Sequence, residues 1–455
     1  MVLGVNGLFC CDRHFYREFF GLFSVLVLQN VITLAVNLAD NLMLGAYSET
    51  ALAGVAVVNQ MQFLYQQLLL ALGEAVVIIG SQYFGRCELE PVRQLTALAL
   101  RLGLGLALVF FLAASLFPGE IIAAFAPETD IIVQGVLYLG IVRLSYPFFA
   151  VTQLLLASLR STGTVRIALY LSVSTLLVNC TVNYALIYGH WGAPELGVAG
   201  AAIGTVFARA LEMLLLLLYL HQQMPRLAVS PFYMVGKISR ELCHTYLHLL
   251  WPMLVVNGLW GANNAAQNAI LGHMDVRAIA ANSVASTLYL LVKSAGSGSA
   301  AAASFLVGRA IGCGGHNLRQ LARTLQLLFL GIGLGSGLLL YGLRIPVLSL
   351  YKLSPGTMQL ADTFLVILAV VCVGMSYQMS TNAGIIKGGG AVRYCMVLDL
   401  VSIWCICLPA AYLLAFVYEA PPALVVCALN ADQLFKAVPA FWKCNYGHWA
   451  YKLAF

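Results

Sequence analysis

A chain of 455 residues in which 61% are hydrophobic and 9% charged, with a mean hydropathy of +0.89, has too little polar surface to face water. A soluble domain carries roughly 25% charged residues, so the composition excludes a water-soluble globular enzyme and makes lipid the principal solvent. The net charge of +6 is a matter of where the bases lie along the chain, and it does not indicate a nucleic-acid partner.

A membrane-crossing helix needs about 20 apolar residues and a span with its loop about 35, so the chain has room for about twelve. The first predicted span, 18–43, ends in LAVNLADNLMLG and carries Asp40 with no base within a helical turn. A carboxylate in hydrocarbon is a functional candidate by default. A low dielectric disfavours its charged form, which suits a group that takes up and releases a proton or ligates sodium. The other reading is a cap near the outer interface. Span two, 52–80, carries Glu74 directly after a glycine, a candidate for the cleft wall. Spans three and four fall at 95–118 and 132–158. Span five, 166–189, places Asn179 and Asn183 four apart on one face. There they either join Asp40 in an oxygen-rich cluster or bond helix to helix. Span six, 197–221, contains Arg209 and Glu212, three apart and able to neutralise each other.

The stretch Gln222–His244, with Pro225, Pro231 and Gly236, is the natural linker, at 223–244. Beyond it spans are predicted at 245–272, 277–308, 321–343, 359–385, 394–418 and 421–442. Asp399 in the eleventh lies near Arg393, with which it is expected to pair. Asp432 and Lys436 in the twelfth stand four apart with the acid first, the favourable order. Runs such as LEMLLLLLYL do not alternate in polarity, so a β-barrel is excluded. There is no Walker loop, GxSxG or HExxH, and the twelve cysteines have no metal-site spacing. Neither enzymatic chemistry nor a cofactor or metal is expected.

The chain also repeats itself. Leu44 and Gly45 match Leu271 and Gly272, Ala51 matches Ala278, and RSTGTVR at 160–166 matches KGGGAVR at 387–393, all at an offset of 227. Six crossings return the chain to its starting side, so the two halves run in the same direction. The expected architecture is an all-α membrane protein of twelve transmembrane helices, in two six-helix halves related by a pseudo-twofold along the membrane normal. The halves are 1–222 and 245–455. Sixteen Lys and Arg lie at the termini and even-numbered loops against three (Arg277, Arg344, Lys352) in the odd ones. The positive-inside rule then puts both termini in the cytoplasm of a multi-pass protein of the inner (plasma) membrane.

The stretches DNLMLGAYSETALAGVAVVNQ, SQYFGR, LRSTGTVRIALYLSVSTLLVNCTVNYALIYGHWGAPELGVAGAAIGT and LGHMDVRAIAANSVAST, with the GGGAVRY…D…W…P run from Gly388 to Pro409, resemble the bacterial members of the multidrug and toxic compound extrusion (MATE) family. The similarity covers roughly residues 18 to 450. It implies antiport, with protons or sodium ions flowing inward while small amphipathic or cationic compounds leave, by alternating access through a monomer. Asp40 matches the family's cation-binding aspartate of span one. Asn179 matches the family's asparagine of span five, and Asn183 falls where some members carry aspartate. Tyr138 and Thr205 match further polar positions of that cluster. In span seven the family's glutamate is replaced by Asn257, between Pro252 and Trp260, and Ser376–Gly384 lacks the acid that some members carry in span ten. A C-terminal cation site of that type is therefore not expected. Coupling falls on Asp40, helped by Glu74, and the balance leans to protons. Asn257, Trp260, Gln267 and Asp399 are the candidates lining the cleft in the second half. A lipid-linked precursor flippase of the wider superfamily is the alternative. Such proteins keep several bases in the cleft, whereas here few are intramembrane (Arg143, Arg209, Lys293, Lys436).

Overall fold

The computed structural model describes residues 12–124, 128–225, 227, 236, 238–274, 276–314, 317–349 and 354–454. Within the expected linker, Arg226, Pro231 and Lys237 lie outside the described residues. The described chain is almost wholly helical. We number the long helices α1 (Arg13–Tyr47), α2 (Glu49–Gly85), α3 (Glu90–Leu116), α4 (Thr129–Val142 continued by Ser145–Ser161), α5 (Arg166–Tyr188), α6 (Val198–Gln223), α7 (Arg240–Met274), α8 (Val276–Gly312), α9 (Leu318–Leu348), α10 (Pro355–Ile386), α11 (Val392–Phe416) and α12 (Pro422–Asn445). Each coincides with one predicted span.

Ten of these are long and apolar enough on their own to cross a bilayer, and the two segments of α4 qualify together across a bend of 56°. The bend follows from Pro147, which has no N–H to offer the carbonyl of Arg143, so the ladder restarts with Tyr146 N–H donating to Arg143 at 3.2 Å. The twelfth, α7, is not in that apolar set. Its middle, WGANNAAQNA, is too polar, which marks it as a helix that faces protein or water rather than lipid along part of its length. Outward-pointing leucines such as Leu338, 72% exposed, and the 71% exposed Val438 are the lipid-facing surface of the bundle.

The chain divides into two compact units. One comprises residues up to Val27, Ser81–Arg86 and Trp251 onward, the other Leu28–Gly80 and Cys87–Leu250. This partition differs from the sequence halves because the start of α1 and the last turn of α2 pack into the first unit. There Arg309 of α8 grips Glu18 of α1 through two parallel N–H···O bonds, the longer 2.7 Å. A Cβ on Gly85 would meet the carbonyl of Arg309, and one on Gly312 the carbonyl of Gln82, so only glycine lets these backbones approach so closely. The buried Gln82 is also clamped by the C-terminal segment of the chain. Its Nε2 donates to the carbonyl of Tyr451 at 3.0 Å and its Oε1 accepts from Leu453 N–H at 2.8 Å.

Within the same unit, the end of α10 widens into a π turn at Ser380–Ile386, closed by Lys387 N–H to Asn382 at 2.8 Å. Small residues permit this. Ser380 Oγ stands 2.6 Å from Ser299 Oγ and donates to the Gly296 carbonyl at 3.1 Å, which seats α10 against α8. In the other unit, Tyr65 donates to the carbonyl of Tyr146 at 2.7 Å and Thr96 to Ser158 at 2.7 Å, satisfying polar groups that lipid-embedded helices cannot leave bare.

Candidate cation site and its C-terminal counterpart

The N-terminal cluster is built by five helices. Asn179 and Asn183 lie one turn apart on the buried face of α5, 2% and 0% exposed. Asn183 Nδ2 donates to Asp40 Oδ1 of α1 at 2.7 Å and reaches Asn179 Oδ1 at 3.3 Å. The side chain of Asn179 faces Asp40 as well. Asn183 fits there because α6 presents Gly204 to it, and a Cβ at that position would run into Asn183 Oδ1. That oxygen is buried without a donor, so the pocket holds one acceptor more than its own donors satisfy. Tyr138 of α4 is buried beside Thr205 of α6 and Gln62 of α2, and close enough to Asp40 to sense its charge. The nearest base, Arg209 of α6, acts on Asp40 through space. Its guanidinium is engaged elsewhere, by Glu212 at 3.0 Å and over the ring of Phe149 at 4.5 Å. Asp40 is half-buried and held by amides, not by a guanidinium. A carboxylate in that setting can exchange its cation, since no permanent counter-ion competes for it.

Glu74 is not among the groups that act on Asp40. It lies close enough to Arg160 of α4 for the two charges to interact, and that guanidinium reaches to the neighbouring Gly73. In the second half, Asn257 donates to the carbonyl of Met253, and Gln267 to Asn263, both within α7. Trp260 stacks under the ammonium of Lys293, 5.0 Å from its ring. Asp399 does not pair with Arg393, which is exposed. It bonds Lys436 of α12 at 2.8 Å, because α12 packs beside the start of α11 and offers a buried base that local spacing does not reveal. The expected Asp432–Lys436 and Arg209–Glu212 pairs are both formed.

A family model described as MatE matches residues 26–185 and 252–413, more than two thirds of the chain. The chain belongs to the MatE family. Among curated relatives it is similar to the probable multidrug resistance protein NorM of Thermotoga maritima, 22% identical over 90% of this chain and 88% of the relative. It is also similar to the multidrug resistance protein PmpM of Pseudomonas aeruginosa, 25% identical over 87% and 83%. Among solved structures, MATE in complex with MaL6 superimposes with a TM-score of 0.85 at 17% identity, covering 94% of this chain and 95% of the other. The bent form of the Vibrio cholerae MATE transporter VcmN gives 0.84 at 17%, covering 95% and 96%. The MatE fold of twelve transmembrane helices in two halves is thus the fold of this chain. Within this MatE-family protein, three contributors to the first cluster escape sequence reasoning: Gln62, Gly204 and Arg209. Polar or small residues on spans two and six are the only local signal for them.

Proposed function

We propose that this protein is a secondary antiporter that exports small amphipathic or cationic compounds by alternating access, driven by inward movement of protons or sodium ions at Asp40. The observation that carries this reading is a half-buried carboxylate bonded to the amide of Asn183, with Asn179 beside it and with Arg209 engaged by another acid. The names of the multidrug resistance relatives support export of drug-like compounds. The monomer works in the plasma membrane with both termini in the cytoplasm.

Neutralising Asp40 removes a charge from a poorly solvated position and alters the hydrogen bonds that tie α1 to α5. A difference in cation affinity between two states biases their populations in proportion. About 1.4 kcal/mol changes the ratio tenfold, and several such steps move the protein from one state to the other. Protons are the favoured coupling ion. With Asn183 in place of a second acid, the pocket holds one anionic group, which a single proton neutralises, while sodium would rely on neutral oxygens for the remainder of its shell. Dye efflux from inverted vesicles under an imposed proton gradient or an imposed sodium gradient, each alone, tests the reading. Transport is expected with the proton gradient. Saturable dye movement that ignores both gradients would overturn antiport.

A further inference from the structure

The two halves place a base at the same point of the repeat and use it in opposite ways. Arg209 of α6 and Lys436 of α12 stand 227 positions apart, as do Thr205 and Asp432, and Asp40 and Gln267. In the first half the base turns to Glu212 and leaves Asp40 to its amides. In the second, where Gln267 replaces the acid of α1, the base turns inward. Lys436 Nζ lies 2.8 Å from Asp399 Oδ1 and 2.8 Å from Asp432 Oδ2, with its side chain 3% exposed. Asp432 Oδ2 further accepts from Gln433 at 2.7 Å, and Gln433 Oε1 accepts from Gln378 at 2.7 Å. Gln378 Oε1 in turn accepts from Asn382 at 3.2 Å. Asp399, Gln378 and Asn382 line a recess together with Met253, Met379 and Met396. The Oδ1 of Asn382 is buried with no donor.

We propose that the ammonium of Lys436 is a built-in cation of the C-terminal half, filling the place between Asp399 and Asp432 that a free monovalent cation would take. Two carboxylates converging on one point in a low dielectric need a positive charge there. An ammonium supplies it with two of its three N–H donors. Lys293 lies close enough to sense both Asp432 and Lys436. Because the cation is tethered, it cannot leave, and the second half contributes no exchangeable cation. One coupling cation then moves per transport cycle. That last consequence rests on the reading of Asp40 above; the occupancy by Lys436 does not.

The test is chemical replacement of the tethered cation. Lys436→Ala leaves a gap the length of n-propylammonium, reachable from the recess beside Asp399. Thermal unfolding of the purified, detergent-solubilised protein is followed in choline, sodium and n-propylammonium chlorides at equal ionic strength. The variant is expected to unfold several degrees below wild type in choline and to recover most of the loss, saturably, in n-propylammonium. Wild type and Lys436→Arg should not respond, and Asp399→Asn/Lys436→Ala should lose the response. A Lys436→Ala protein no more cation-sensitive than wild type overturns the proposal, as does an undiminished response in the double variant. If Lys436→Ala does not fold, Lys436→Gln, close in length and uncharged, is carried through the same melts: it should unfold below wild type and Asp399→Asn/Lys436→Gln should recover part of the loss, and a double variant no more stable than Lys436→Gln overturns the proposal equally. Repeating the titration in Asp40→Asn separates the two readings. The n-propylammonium response survives there if Lys436 is the built-in cation, whether or not Asp40 couples transport.

Discussion

Gly204 of α6 is the position where adding a single methyl group should do most damage to the cluster around Asp40. The Cβ of Gly204→Ala would occupy the space of Asn183 Oδ1, and Asn183 is fully buried, so its amide has nowhere to retreat. Overpacking of this kind costs about 1–3 kcal/mol. Displacing the amide also breaks its 2.7 Å bond to Asp40, and a hydrogen bond to a charged group contributes about 1.5–3 kcal/mol. Together the loss is roughly 2.5–6 kcal/mol, of which the second part falls on the carboxylate itself. The assay pairs thermal unfolding of the purified variant with gradient-driven dye efflux at matched protein level. The expected result is a lower unfolding temperature and an efflux rate reduced at least tenfold. Asn183→Ala in the same background opens room for the methyl group and should restore the part of the unfolding temperature lost to overpacking, but not the transport. A Gly204→Ala protein with wild-type stability and efflux would refute the packing argument and, with it, the role given to Asn183.

Tyr138→Phe removes the hydroxyl beside Thr205 and Gln62 while keeping the buried ring, so folding should be nearly unchanged and efflux should fall several-fold, measured in the same vesicles. Gln82→Leu takes away both clamps on the C-terminal segment at Tyr451 and Leu453; limited proteolysis should then cut the tail faster than in wild type. Glu18→Gln abolishes the ionic part of the grip on Arg309 and leaves one acceptor oxygen of two, in a pair about one-fifth exposed, and should destabilise by about 1–3 kcal/mol in a thermal melt.

The helices are legible in the sequence because all but α7 are long apolar runs bounded by charge or glycine, and lipid leaves the backbone no other choice. Two details within them are readable only afterwards. Pro147 signals the break in α4, yet a proline inside an apolar run is also compatible with a straight span until its neighbours are known. The π turn at Ser380–Ile386 depends on α8 lying against it, which no local pattern states. The cluster around Asp40 is partly legible, since the four-residue spacing of Asn179 and Asn183 fixes a common face. What closes it, Gly204 and Gln62, arrives from helices distant in sequence. The same holds for Asp399. Its nearest base along the chain is Arg393, but its partner in space is Lys436, because hydrogen bonding in a bundle follows helix packing rather than sequence distance.

The most direct test is gradient-driven efflux by Asp40→Asn, an isosteric change that keeps the amide contacts and removes the exchangeable charge. Inserted at wild-type level in inverted vesicles, this variant should show no dye movement in response to an imposed proton or sodium gradient. Efflux at the wild-type rate would contradict the assignment of coupling to that carboxylate.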